Sequence, residues 1–360
     1  MTEFLYIDGS RGEGGGQILR SAVALSLVTG RPFVIDNIRA RRSRPGLMRQ
    51  HLTAVQAAVE VGQARVEGDK IGSRRLVFEP SRVKPGEYDF RIGTAGSATL
   101  VVQTVLPALL VCDGPSVVRV EGGTHNPFAP PYDFLATTYL PLVARMGPTF
   151  ETTLDRYGFY PAGGGRITVN VQPSPQLSWF ELIDRGQLRD RRVRALVANL
   201  PLHIAERECA TIAKASGWPK KCFSAEEISA AGPGNVVLIE IEHEHLTEVV
   251  SCVGEKGLKA EKVATRAWRE AKAYLDSDVP VDPHLADQLL LPLGVAACQS
   301  QTGGRFLTGP LTTHAHTHIE VLKMFLDVPI TIEPAAAAAE AAERSDKCVV
   351  TVGTPPSRKD

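Results

Sequence analysis

Residues 88–123 read YDFRIGTAGSATLVVQTVLPALLVCDGPSVVRVEGG. From Tyr88 to Ile92 apolar and charged side chains alternate, as in a half-buried strand, and Gly93-Thr94-Ala95-Gly96 ends the run. An apolar helical pattern follows through Leu110, and alternation returns from Val117 to Glu121. Downstream lie GGTHNPFAPP, a helical pattern from Tyr132 to Met146, and alternating stretches at Phe150–Leu154 and Ile167–Val171. The unit therefore reads β-α-β-α-β-β.

The same order stands about eighty residues upstream. Phe4–Ile7 is its first strand, Gln17–Val28 its first helix, Phe33–Ile38 the second strand and Leu47–Val61 the second helix. Ala64–Val66 and Leu76–Glu79 close it. A third copy is interrupted. Phe180–Ile183 opens it, and His284–Ala297, Arg305–Leu307, Ala315–Leu326, Ile330–Ile332 and Cys348–Val352 continue it. The gap has its own pattern: strand Val193–Ala198, helix Ile204–Ala215, strands Val236–Glu242 and Thr247–Val253, helix Leu258–Leu275. The expected fold class is α+β in layers. One large three-unit domain spans 1–186 and 278–354, a small α/β domain is inserted at 187–277, and 355–360 form a flexible tail. Gly232-Pro233-Gly234 reads as a turn, and Ala335–Ala339 as a linker or short helix.

With 43% hydrophobic and 22% charged residues, the 360-residue chain has the makings of a large core rather than of disorder. Forty basic and forty acidic side chains cancel, so attraction to a polyanion has to come from a local patch. Six cysteines without a CxxC pair suggest neither a zinc ribbon nor a disulfide framework, and a reducing cytoplasm fits. No export signal is read at the start, and the most apolar run, Leu100–Cys112, is too short for a bilayer and holds Gln103 and Pro107. No membrane partner is expected, and no pattern specifies an oligomeric state.

Four features bear on chemistry. Gly12-Glu13-Gly14-Gly15-Gly16-Gln17 joins a strand to a helix, where backbone N–H groups can approach phosphate oxygens. It fits no nucleotide-binding pattern cleanly, and a tight turn is the competing reading. Glu13 favours phosphate with a hard divalent cation between the two charges. Between Asp36 and Glu60 no acidic residue occurs, yet Arg39, Arg41, Arg42, Arg44, Arg49 and His51 all do. Such clustered guanidinium groups suit a polyanion such as an RNA end or a nucleotide triphosphate; a solvated basic face is the alternative. Gln103, Thr124, His125 and Asn126 are polar groups at the same strand ends, each individually explicable as structural. Thr313-His314-Ala315-His316-Thr317-His318 opens a helix. His314 and His318 share a face, which admits zinc; His314 as a nucleophile is the other reading, provided its second nitrogen is held as a donor.

Seven ordered blocks carry a resemblance: GEGGGQILRSAVALS (12–26), ARRSRPGLMRQHLTAV (40–55), GTAGSATLVVQTVLPALL (93–110), GGTHNPFAPP (122–131), GFYPAGGG (158–165), HLADQLLLPL (284–293) and THAHTHIEVLKMF (313–325). Together they resemble the RNA 3'-terminal phosphate cyclases over nearly all of the chain. The resemblance implies three similar units and an insertion of thioredoxin-like topology. It implies an ATP-consuming enzyme that adenylates His314, passes AMP to an RNA 3'-phosphate, and leaves a 2',3'-cyclic phosphate. Carried over by motif, Glu13 binds a divalent cation, Mg or Mn. Arg20, Arg39, Arg42 and Gln50 serve phosphates or the RNA end, Gln103, Asp287 and Gln288 line the nucleotide site, and Pro130 and His284 sandwich the adenine. Two departures stand out: His284 occupies a usual tyrosine position and His318 a usual asparagine position. The rivals are a cyclase-like ribosome-assembly protein, which lacks the nucleophilic histidine, and an enolpyruvyl transferase, built from similar repeats with no covalent nucleotide.

Overall fold

The computed structural model describes residues 3–300, 302–335 and 346–356. The chain opens with β1 (Leu5–Asp8), α1 (Gln17–Thr29), β2 (Phe33–Asp36), α2 (Arg49–Gly62), β3 (Arg65–Glu67) and β4 (Leu76–Glu79). These strands form a sheet in the order β1-β2-β4-β3, with β1 and β2 parallel and the other pairs antiparallel. The parallel pair is the one connected through a helix, as a crossover requires.

Next come β5 (Glu87–Arg91), α3 (Ala98–Leu109), β6 (Ser116–Gly122), α4 (Tyr132–Phe134), α5 (Leu140–Ala144), β7 (Thr149–Arg156) and β8 (Gly165–Gln172). Their sheet runs β5-β6-β8-β7, with the same parallel and antiparallel pairing. The single helix expected over 132–146 is interrupted at Leu135–Tyr139 by a π-helical stretch in which Leu140 N bonds to Leu135 O. Pro141 explains the wider register, because it has no N–H to give and its ring crowds the carbonyl four residues back.

The remaining elements are β9 (Phe180–Leu182), β10 (Leu188–Ala198), α6 (His203–Ser216), β11 (Phe223–Glu227), β12 (Gly234–His243), β13 (Thr247–Val253), α7 (Ala260–Ser277), α8 (Pro283–Ser300), β14 (Gly304–Thr308), α9 (Thr313–Phe325), β15 (Ile330–Pro334) and β16 (Cys348–Val352). Strand β9 pairs in parallel with β14, far along the chain, in a sheet ordered β15-β16-β14-β9. The fourth sheet runs β11-β10-β12-β13. Its odd-numbered residues Val193, Ala195, Val197, Val237, Ile239 and Ile241 form a separate core beneath α6 and α7. Its even-numbered Leu196, Ala198, Val236 and Leu238 join the large core of the molecule. The period-2 alternation of a strand buried on both faces thus divides the sheet between two cores.

Helix α1 packs against α3 and α9, α2 against α3, and α8 against α9 and α3. Ten of the thirteen residues of α1 are buried, so this helix is apolar nearly all round and central to the layer. The loops preceding α1, α2, α3 and α9 are thereby gathered together. Most of the run Ala335–Ala339 and of the tail 355–360 lies outside the described residues. Among the described residues no helix is long and apolar enough to cross a membrane.

Candidate active site

Thr312 caps α9, its hydroxyl accepting from Ala315 N at 3.1 Å, and Asp282 caps α8, its Oδ1 accepting from Leu285 N at 2.6 Å. Both helices therefore start at fixed positions. His314 and His318 lie one turn apart and face Asp287 of α8. His314 Nδ1 is 2.9 Å from Asp287 Oδ2; His318 Nδ1 is 3.1 Å from Oδ1 and 3.0 Å from the Asp287 carbonyl oxygen. Gln17, the first residue of α1, donates to Oδ1 at 2.7 Å. Burial raises the pKa of Asp287, but the His318 and His314 imidazoles and their hydrogen bonds outweigh it and hold the carboxyl well below the usual range. A carboxylate and a carbonyl only accept, so both Nδ1 atoms carry the proton. In the neutral tautomer this fixes, His314 Nε2 is the bare nitrogen on a half-buried side chain, whereas His318 Nε2 is buried without a partner among the described residues.

This geometry answers the zinc reading of the histidine cluster. His316 is exposed, and no group of three His, Cys, Asp or Glu side chains among the described residues is placed to share an ion.

The glycine-rich loop lies between α9 and α2. Gly12 has φ +52°, and a Cβ there would come within 1.9 Å of Thr317 Oγ1, while a Cβ on Gly16 would come within 2.3 Å of His51 Nε2. Only glycine permits that close approach. Arg41 donates to Gly12 O at 2.7 Å, and Arg42 Nη2 lies 3.4 Å from Glu13 Oε2, both side chains about half exposed. Arg39 takes a different part: its guanidinium donates to Arg44 O at 2.7 Å and Gly46 O at 2.8 Å, bracing its own loop. Arg20 is half-buried and makes no guanidinium hydrogen bond or ion pair with any described residue. Burial pushes it down to about 10, partly opposed by Asp287, so it stays cationic at neutral pH. His51 is pushed down to about 3 by burial and by the charges of Arg20 and Arg39, which makes it a neutral imidazole among cations.

A second group of contacts joins α3 to its surroundings. Gln50 Oε1 accepts from Ser97 N at 2.8 Å, Thr99 Oγ1 donates to Pro130 O at 2.7 Å, and Gln103 Nε2 hydrogen-bonds Gln288 Oε1, one residue from Asp287. His284 is exposed in the first turn of α8. The sequence-predicted set thus falls into three groups. Glu13, Arg20 and Arg42 lie in or beside the glycine loop, with Arg39 bracing the neighbouring arginine segment; Gln103, His284, Asp287, Gln288 and His314 lie on or against the first turns of α8; Gln50 and Pro130 are tied to the start of α3.

Sequence reasoning missed Gln17 and His318 as partners of Asp287, and the neutral state of His51. It also missed a buried chain in which Thr124 Oγ1 meets His125 Nδ1 at 2.8 Å and His125 Nε2 meets Asp133 Oδ2 at 2.7 Å. Arg194 of β10 bonds Asp133 and lies 3.1 Å from Glu240.

The family model for RNA 3'-terminal phosphate cyclase matches residues 11–332. The chain belongs to the RNA 3'-terminal phosphate cyclase family. It is 52% identical over 329 residues to the RNA 3'-terminal phosphate cyclase of Koribacter versatilis (strain Ellin345), covering 91% of each chain. To that of Ectopseudomonas mendocina (strain ymp) it is 50% identical, covering 91% of this chain and 94% of the relative. Membership of a ligase-type family over this span excludes the enolpyruvyl transferase reading. In this cyclase-family chain His318, where asparagine was expected, takes up Asp287 as a partner, and His284, where tyrosine was expected, keeps a planar ring at an exposed position.

Proposed function

We propose that this enzyme uses ATP to convert an RNA 3'-phosphate to a 2',3'-cyclic phosphate through a histidine-AMP intermediate on His314. The observation that carries the reading is the Asp287 hydrogen bond, which puts the proton on Nδ1 and leaves Nε2 as the nucleophile of a partly exposed side chain. Nε2 bonds to the α-phosphorus, the bond to the bridging oxygen breaks, and pyrophosphate leaves. The imidazole is then cationic, beside a carboxylate that is ionised across the physiological range. An oxygen of the RNA 3'-phosphate next takes the AMP. The adjacent 2'-OH attacks the activated 3'-phosphorus, its proton passes to solvent, and AMP leaves with the second bond closed. No strong base is needed, because AMP is already a good leaving group.

In this reading Gln103, Asp287 and Gln288 border the nucleotide, with Pro130 and His284 on the faces of the adenine. Arg20, whose guanidinium has no protein partner among the described residues, and Arg42 meet phosphate oxygens. Arg39 and Gln50 act at one remove, by holding the arginine loop and the start of α3. Glu13 offers one half-exposed carboxylate, which fits a Mg- or Mn-type ion completed by phosphates rather than a cage of protein ligands. Bound there, the ion would neutralise phosphate charge. The shared 1-2-4-3 strand order of the first two sheets supports repeated units, and the separate core beneath α6 and α7 supports a domain inserted at 187–277. The test is to incubate an RNA labelled at its 3'-phosphate with ATP. The expected product resists phosphatase, with one AMP and one pyrophosphate released per end, and label that stays fully phosphatase-sensitive contradicts the reading.

A further inference from the structure

Phe128 stands at the tip of the GGTHNPFAPP loop with its side chain fully exposed, at 102% of the reference value, and its backbone at φ +63°. A bulky residue in the left-handed region is strained, and such strain persists only where the surroundings over-determine it. Here they do. Asn126 Nδ2 donates to Ala95 O at 2.6 Å and Thr99 Oγ1 to Pro130 O at 2.7 Å, tying down both sides of Phe128. Tyr132 N closes the loop onto Thr124 O at 3.0 Å, and the buried His125–Asp133 contact locks its base. The fold holds an aromatic ring in a costly conformation, and among the described residues nothing covers it. Packing therefore does not account for it.

The surroundings of the loop indicate what does. It is anchored on the start of α3, where Gln50 reaches across from the arginine-bearing segment, and one helical turn along α3 Gln103 meets Gln288 beside Asp287. The exposed ring, two residues before Pro130, therefore stands on a stiff support tied to the start of α3, next to the site. We propose that Phe128 is a stacking platform for the terminal base of a single-stranded RNA whose 3'-phosphate lies in the site. A π-face accepts any base, which suits recognition of an end rather than of a sequence. The assignment rests on the RNA reading above.

The test is equilibrium binding, without ATP, of two 3'-phosphorylated RNAs that differ only in whether the last nucleotide carries a base. The wild type should bind the base-bearing RNA about tenfold more tightly, within the range of base–aromatic stacking. Phe128→Ala should lose that preference and Phe128→Trp should keep it. Phe128→Gly, which relieves the left-handed strain, should melt no lower than the wild type while also losing the preference, so unfolding is not the cause. An Ala variant with the wild-type preference overturns the proposal. So does one whose preference stands while its KM for ATP rises, because the ring would then belong to adenine. Wild-type labelling by ATP is read in parallel. Enzyme that takes AMP but shows no base preference overturns the Phe128 subsite alone, whereas enzyme that takes none overturns the reading beneath it.

Discussion

His314 Nδ1 and Asp287 Oδ2 stand 2.9 Å apart, and this hydrogen bond decides which nitrogen of the histidine is free. An asparagine in place of the aspartate could present its NH2 to Nδ1 and so favour the other tautomer, with the proton on Nε2 where the lone pair is needed. Asp287→Asn should therefore slow adenylation of the protein by about a thousandfold, within the range seen when an orienting carboxylate is lost. KM for ATP should move far less. Single-turnover labelling measures both, and a rate within tenfold of the wild type would contradict the orienting role.

Arg194 is hydrogen-bonded to Asp133 and to Glu240, while Asp133 also holds His125. The three charged side chains are 10–20% exposed, and only Arg194 is shared by both carboxylates, so its removal takes an ion-pair partner from two acids at once. Arg194→Met strands Glu240, leaves Asp133 with His125 alone, and should lower unfolding free energy by about 3 kcal/mol. Asp133→Asn should lower it less, because Glu240 still neutralises the arginine. Urea denaturation of the two variants gives the order, and the reverse order would refute this account of the network.

Glu13 and Arg42 form a half-exposed pair at 3.4 Å. Exposed pairs contribute about 0–1 kcal/mol, so Glu13→Gln should leave the melting temperature nearly unchanged. Its effect should fall on the cation: the Mg or Mn concentration for half-maximal adenylation should rise at least tenfold. An unaltered cation requirement would remove Glu13 from that role.

Glu208 is fully buried, with Asn235 donating to its Oε2 at 2.9 Å and its Oε1 unpartnered among the described residues. Burial raises it from 4.5 to about 7, partly opposed by the Asn235 hydrogen bond. The folded state holds this proton after the unfolded chain has lost it. Its contribution to stability is thus complete below about pH 4.5 and declines as pH rises to about 7. Glu208→Gln should stabilise the protein at pH 8 by on the order of 2–3 kcal/mol and leave it nearly unchanged at pH 4.5. A thermal scan at both pH values measures the difference, and equal shifts would exclude the linkage.

Elements with strong period were legible in the sequence. α1, α2, α3, α8 and α9 lie where apolar spacing placed them, and β6 buries every second residue as its alternation requires. β11 was not legible. Phe223-Ser-Ala-Glu-Glu carries almost no apolar pattern and becomes a strand through its parallel pairing with β10. The glycine loop, the arginines and the histidine cluster were legible as chemistry. Their mutual geometry was not, because the contacts that define it are tertiary: Gln17 meets Asp287 across 270 positions and Gln103 meets Gln288 across 185. Arg39 illustrates the limit in the other direction. Its residue type suits phosphate, but in the fold its guanidinium is directed at two carbonyls of its own loop.

The covalent step is the center of the account, and it is tested with ATP labelled at the α-phosphate, a divalent cation and no RNA. Wild-type protein should acquire label that is lost in acid and kept in alkali, the behaviour of a phosphoramidate, and His314→Ala should acquire none. A wild type that stays unlabelled with every cation, or a His314→Ala variant that labels equally, would contradict it.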